Sequence, residues 1–268
     1  MTDEQPTLYL SPRYTPDSVA IWRQGIADGW IVERLQTRTQ RPTPKSRAAA
    51  VYGEPFFARE VAASMSMGLL EPPFEWLTTL PYACVNRKII YTTLAQGRML
   101  TSPMFVKPAD DKCFDAQVYQ SGADLPGDDH LDGSAPILIS EPVTWISEFR
   151  CFVLDGEVVT LSVYLRDGEL ADGEEGKWPA TETEFAEARA FASLVLSTVD
   201  LPPAVVLDIG VIDGVGWSVV EANPAWGAGI YGCDPGEVLK VLGRSCIPVE
   251  ALTVDDARWV IGPKLTGA

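Results

Sequence analysis

The chain is poor in the residues that hold transition metals and build thiol sites. Its 268 residues include a single histidine, His130, and five cysteines, Cys84, Cys113, Cys151, Cys233 and Cys246, with no C-x-x-C pair. Zinc binding is therefore disfavoured, and an odd set of scattered cysteines fits reduced thiols in a cytoplasm better than a disulfide framework. Positive charge is also scarce. Lys plus Arg number 21 against 37 Asp plus Glu, a net charge of −16, so the attraction to phosphate backbones that nucleic-acid binding needs is missing, and an anionic membrane surface is equally unsuited. No stretch approaches the roughly 18 apolar residues of a membrane helix, and the start, Met1-Thr-Asp-Glu-Gln-Pro6, has neither a basic segment nor an apolar run. A soluble, unexported protein is expected. There is no internal repeat, no low-complexity tract and no G-x-G-x-x-G, so no dinucleotide site is assigned.

What is present is a globular composition, 46% hydrophobic and 22% charged, with 22 Gly and 21 Pro spread along the chain. Thr7–Leu10 reads as a strand. Thr15-Pro16-Asp17 then supplies a cap, a first-turn proline and an early acid for a helix to about Asp28, and 30–35 reads as a second strand. Such a β-α-β unit is almost always a right-handed crossover in a parallel sheet. Ser11, Arg13 and Tyr14 follow the first strand, where open α/β sheets place ligands, although a solvated loop explains them equally. Helical spacing is expected from Phe57 to Met67, over 74–80, and from Asn86 to Met99 with Asn86 as the cap.

Pro103–Pro108 is a short apolar strand carrying Lys107, and a lysine half-buried there needs an anion nearby. A returning strand is expected over 115–120, and a loop rich in Gly, Asp and Pro over 121–134. Ile137–Ser140 is a strand that Glu141-Pro142-Val143 breaks, since proline gives no N–H to a ladder. Asp155-Gly156 is the strongest hairpin signal, joining 147–154 to 157–165. By alternation Glu148 and Arg150 share one face, and Thr160, Ser162, Tyr164 and Arg166 share another. Thr181-Glu-Thr-Glu184 is a capping box that opens an amphipathic helix, Asp234-Pro235 caps a further one, and 258–261 reads as a weak closing strand.

Val205 to Pro224 is read as two strands around Asp213-Gly-Val-Gly216. Asp208, Glu221 and Asn223 can share a face there, and two carboxylates with an amide oxygen suit Mg²⁺. Ordinary polarity at strand ends accounts for the same three residues.

Taken together, Phe105-Val-Lys-Pro108, Leu138-Ile-Ser-Glu-Pro-Val143, Glu148-Phe-Arg-Cys-Phe-Val-Leu-Asp-Gly156, Leu207-Asp-Ile-Gly210 and Val220-Glu-Ala-Asn-Pro224 resemble the ATP-grasp superfamily, over roughly 86–231. The resemblance implies an α/β N-terminal Rossmann-like half (1–85) followed by α+β ATP-grasp lobes with antiparallel sheets, a small one (86–144) and a large one with the metal site (145–268). ATP would lie between the lobes. Lys107 and Arg87 would contact its phosphates, Glu141, Pro142 and Val143 would read adenine, and Glu148 would bind the ribose. Asp208, Glu221 and Asn223 would hold Mg²⁺, and Arg150 or Arg166 would meet the transferred phosphate. The glycine-rich phosphate loop of the family is replaced by 110–114, with Lys112 in place of glycines. The implied activity is carboxylate–amine ligation through an acylphosphate, with small-molecule or peptide substrates. A nucleotide-binding protein without ligation, and a phosphotransferase, are the alternatives. The sequence leaves the oligomeric state open.

Overall fold

In the computed structural model, the described residues are 5–43, 48–110, 113–173 and 177–260. The chain opens with β1 (Thr7–Leu10), α1 (Pro16–Ala27), β2 (Ile31–Arg34) and β3 (Ala49–Tyr52). The three strands form a parallel sheet in the order β2-β1-β3, with Leu8 level with Val32 and Ala50. Thr15 caps α1 in a box with Ser18, each side chain accepting from the other residue's backbone N–H. Next come α2 (Pro55–Ser64) and a short strand β4 (Met67–Leu69). The helix expected over Phe57–Met67 thus stops earlier, at Ser64, because Met67–Leu69 pairs in a sheet instead.

Trp76–Thr79 forms one 3₁₀ turn, followed by α3 (Tyr82–Val85), β5 (Ile89–Thr93) and α4 (Leu94–Gly97). The long helix expected over Asn86–Met99 is therefore a strand between two single turns. Ile89-Ile-Tyr-Thr-Thr93 is β-branched and aromatic, which suits a pleated surface better than a helix, and the strand pairs antiparallel with β8. Asn86 lies at the end of α3 in the left-handed conformation, φ 49°, rather than at the start of a helix. Then follow β6 (Met104–Pro108), β7 (Gln117–Tyr119) and β8 (Pro136–Ser140). This antiparallel sheet runs β5-β8-β6-β7.

The remainder is β9 (Trp145–Leu154), β10 (Glu157–Arg166), β11 (Glu169–Leu170), α5 (Glu182–Thr198), β12 (Ala204–Ile212), β13 (Gly216–Asn223), α6 (Pro235–Ser245), β14 (Cys246–Pro248) and α7 (Val254–Ala257). The five strands β9 to β13 form a sheet in the order β11-β10-β9-β12-β13, and β14 pairs antiparallel with β4. Where a closing strand was expected, Val260 makes one isolated bridge to Leu70, and Ile261 lies outside the described residues.

The chain divides into two compact units: 1–72 with 147–209 and 220–268, and 73–146 with 210–219. The first is built around Leu8, Leu10, Ile21, Phe57, Trp226 and Val238, all fully buried. Trp226 donates through Nε1 to the Leu70 carbonyl at 3.0 Å, so its one polar atom is satisfied inside the core. The second unit has its own core of Leu94, Val106, Tyr119, Leu125, Ile137 and Ile139. Among the described residues, no helix is long and apolar enough to cross a membrane.

Candidate active site

In the first unit the site is assembled on β9, β10, β12 and β13. Asp155 and Gly156 both have positive φ, 49° and 85°, the pair of conformations a type I′ turn demands, and this turn sets the β9–β10 register. Ser162 faces Arg150 and Leu165 faces Glu148. An irregularity between Val163 and Leu165 leaves Tyr164 outside the ladder. The Tyr164 hydroxyl donates to Glu148 Oε2 at 2.7 Å, and both residues are buried. Burial, reinforced by the charges of Asp208 and Glu148, raises the Tyr164 hydroxyl well above its usual range, so it remains a donor.

Arg150 is the hub. Its Nε donates to Asp208 Oδ1 at 2.9 Å and one terminal nitrogen to Oδ2 at 2.6 Å, while the other terminal nitrogen donates to the Gly229 carbonyl at 3.0 Å. The guanidinium carbon lies 5.2 Å from the ring centre of Tyr164 and 4.9 Å from that of Tyr231, within cation–π range. Those two rings stack at 5.1 Å, and Trp178 meets Tyr231 edge-on at 5.2 Å. Burial opposes the charge on Arg150, but Asp208 outweighs it and moves the group upward, so the guanidinium stays ionised. For Asp208, burial pushes the carboxyl up and Arg150 pulls it back.

Asn223 closes the cluster. Its Nδ2 donates to Asp208 Oδ2 at 3.1 Å and to Glu221 Oε1 at 2.8 Å. The three residues expected to share a face are therefore brought together, with the amide nitrogen set between the two carboxylates as a cation would be. Among the described residues, no group of three or more His, Cys, Asp or Glu is placed to hold a metal. Any ion here would rest on fewer carboxylates plus the amide oxygen, a donor set that suits Mg²⁺.

Sequence reasoning did not single out Asp17, Trp178 or Tyr231. Asp17 Oδ2 accepts from the Ile230 N–H at 3.0 Å, and burial raises its carboxyl. Tyr231 has φ 49°, a left-handed conformation unusual for a bulky residue. A Cβ on the next residue, Gly232, would lie 2.5 Å from Ser162 Oγ and from Trp178, so close approach requires the glycine. The run Gly229-Ile-Tyr-Gly232 was the signal available. Cys151 and Cys233 are also buried nearby, and burial pushes both thiols up, Cys233 to about 12, which argues against a thiolate nucleophile.

Arg166 goes elsewhere. It donates to Glu184 Oε1 at 2.7 Å and to the Pro179 carbonyl at 3.1 Å, bracing the start of α5.

In the second unit Lys107 is half-buried on β6, level with Leu138 of β8. Arg87 is buried and precedes a strand, not a helix. It donates to the carbonyls of Val85 at 2.9 Å and Val219 at 2.8 Å and lies over the Trp145 ring at 5.1 Å. Glu141 and Lys88 clip together, the Lys88 N–H donating to Glu141 Oε2 at 2.9 Å and the Glu141 N–H to the Lys88 carbonyl at 3.1 Å. Past that clip, Pro142 and Val143 lie outside any strand. Lys112 lies outside the described residues.

The pattern of a family described as an ATP-grasp domain, family 2 of its clade, matches residues 85–241. The chain belongs to this ATP-grasp family. Solved structures of ATP-grasp proteins share its fold. D-alanine–D-alanine ligase from Bacillus anthracis is similar at a TM-score of 0.54 and 10% identity, over 90% of this chain and 97% of that one. D-cycloserine synthetase DcsG gives 0.53 and 14%, over 88% and 98%. A RimK domain ATP-grasp protein from Sphaerobacter thermophilus gives 0.51 and 12%, over 88% and 99%. No curated protein matches by sequence. The ATP-grasp fold, with antiparallel sheets among mixed helices and strands, is as the sequence resemblance implied.

Proposed function

We propose that this ATP-grasp chain is an ATP- and Mg²⁺-dependent ligase that joins a carboxylate to an amine through an acylphosphate. The observation that carries the reading is the convergence of Arg150, Asp208, Glu221 and Asn223 in one unit, within a chain of this family. The ligase and synthetase names of two structural neighbours support the reaction class.

In this reading a substrate carboxylate oxygen attacks the γ-phosphorus, the bond to the β-phosphate oxygen breaks and ADP leaves. An amine nitrogen then attacks the acyl carbon, phosphate departs and the nitrogen gives up a proton. The first step brings like charges together, so cations must neutralise the phosphate oxygens in a fixed arrangement. Arg150 is held for that task by Asp208, Gly229 and the two tyrosine rings. Lys107 would bind phosphate oxygens, with Arg87 and Lys112 as further candidates. The backbone of Glu141, Pro142 and Val143 would take adenine, and Glu148 the ribose hydroxyls. Mg²⁺ would be held by Glu221 and Asn223 at the Asp208 cluster, and when bound it supplies further charge neutralisation. Arg166, engaged with Glu184, is assigned to structure rather than catalysis.

We read the parallel β-α-β opening as a Rossmann-like half over 1–85, followed by a small lobe over 86–144 and a large one over 145–268. Five free cysteines fit a cytoplasmic protein. The net charge of −16 argues against nucleic acid as a partner and leaves small-molecule or peptide substrates.

The test is an ¹⁸O-labelled carboxylate pool incubated with amines, ATP and Mg²⁺. Ligation through an acylphosphate moves one label into inorganic phosphate and releases ADP and a condensed product. A stable phosphorylated product would mark a phosphotransferase. ATP binding without ADP release would mark a nucleotide-binding protein, the reading favoured by the engagement of Arg87 with two backbone carbonyls.

A further inference from the structure

The three polar residues of the β12–β13 hairpin are not equivalent. Asp208 has no exposed surface, and each of its carboxylate oxygens accepts a hydrogen bond from Arg150, at 2.9 and 2.6 Å. Oδ2 accepts a further one from Asn223 at 3.1 Å. Glu221 and Asn223, by contrast, are only half-buried. Because Asn223 turns its nitrogen toward the carboxylates, its Oδ1 faces away from them, and no protein donor meets that oxygen among the described residues.

A carboxylate that ligates a divalent ion offers it at least one oxygen lone pair that no guanidinium competes for, because a cation beside the ligand opposes the metal's charge. Asp208 faces the opposite situation. Its neighbour is a buried, permanently charged arginine in a forked two-bond geometry, the arrangement that fixes a guanidinium most firmly. Arg150 is held from its other sides by the Gly229 carbonyl and by the stacked rings of Tyr164 and Tyr231.

We infer that Asp208 is a positioning residue for Arg150 and not a metal ligand, and that the protein's own metal donors at this hairpin contract to Glu221 and Asn223. This inference rests on the ligase reading for the role of Arg150, but its test does not need turnover. The chain then divides its charges into two pairs with separate tasks. Asp208 aims and neutralises the arginine, while Glu221 with the Asn223 oxygen faces the ion. Asp208 also accepts from the Asn223 nitrogen, so it helps orient the amide whose oxygen would bind the metal.

The experiment titrates Mn²⁺ into the protein with a non-hydrolysable ATP analogue and follows water-proton relaxation. The Asp208→Asn change alone would strand a buried guanidinium, so the deciding chain is the double variant R150M/D208N, which removes both charges together. The amide oxygen that D208N introduces can still accept from Asn223. The double variant should bind Mn²⁺ within about threefold of wild type, while E221Q weakens it at least about tenfold. Turnover by the double variant should fall by roughly a hundredfold or more, because the arginine is lost. Metal affinity falling in the double variant as far as in E221Q would overturn the inference. Wild-type protein that takes up no Mn²⁺ would overturn the magnesium-dependent reading itself, and the inference with it.

Discussion

Arg150 and Asp208, 58 residues apart in sequence, meet in a two-bond ion pair at 2.9 and 2.6 Å, and Asp208 has no solvent-exposed surface. Removing one member of such a pair leaves the other charge buried and uncompensated, which costs about 3–5 kcal/mol. Replacing both by groups of similar volume costs less. R150M should therefore lower unfolding stability in urea at pH 7 by about that amount, and R150M/D208N should lie closer to wild type. Equal losses in the single and double variants would show that the pair is not coupled.

Glu184 ties the start of α5 to β10. The Arg166 hydrogen bond, with smaller contributions from Thr181, lowers its carboxyl from 4.5 to about 2, against a weaker upward push from burial. A carboxyl lower in the folded chain than in the unfolded one stabilises the fold above pH 4.5, and that contribution is lost as pH falls toward 2. E184Q should therefore be less stable than wild type near neutrality, and the difference should narrow between pH 4.5 and 2. Urea midpoints across that range test it, and a constant gap would contradict the assignment.

Gly122 sits where a Cβ would lie 2.2 Å from the Arg98 carbonyl oxygen. Its N–H donates to the Leu100 carbonyl at 2.9 Å, so the backbone has little room to retreat. G122A should destabilise the chain by about 1–3 kcal/mol, seen as a lowered melting temperature. An unchanged melting temperature would mean that this loop yields readily.

Lys107 lies on β6, level with Leu138. If it binds the nucleotide's phosphates, K107M should weaken binding of a non-hydrolysable ATP analogue by about 1.5–3 kcal/mol, roughly ten- to a hundredfold. Calorimetric titration measures this directly, and unchanged affinity would remove Lys107 from the site.

The elements legible in the sequence are those with local signals: the Thr15 and Thr181 caps, the Asp155-Gly156 turn and the β12–β13 hairpin. Ile89–Thr93 reads as helix in the sequence because its few apolar positions fit a helical spacing as well as a pleated one, and the deciding partner, β8, lies far along the chain. The candidate site divides the same way. Asp208, Glu221 and Asn223 are legible as neighbours because one hairpin carries them. The pairing of Arg150 with Asp208, the Tyr164–Tyr231 stack and the diversion of Arg166 to Glu184 are contacts between distant segments that no spacing rule encodes.

The central claim concerns ATP-driven condensation, and the most direct measurement is ADP release from ATP and Mg²⁺ with a pool of carboxylates and amines, each product being weighed by mass spectrometry. Wild-type protein should release ADP only when both a carboxylate and an amine are present, and yield a product lighter by one water than their sum. E221A, still folded, should lose at least about a hundredfold of this activity. ADP release that ignores the amine, or that E221A leaves unchanged, would contradict the account.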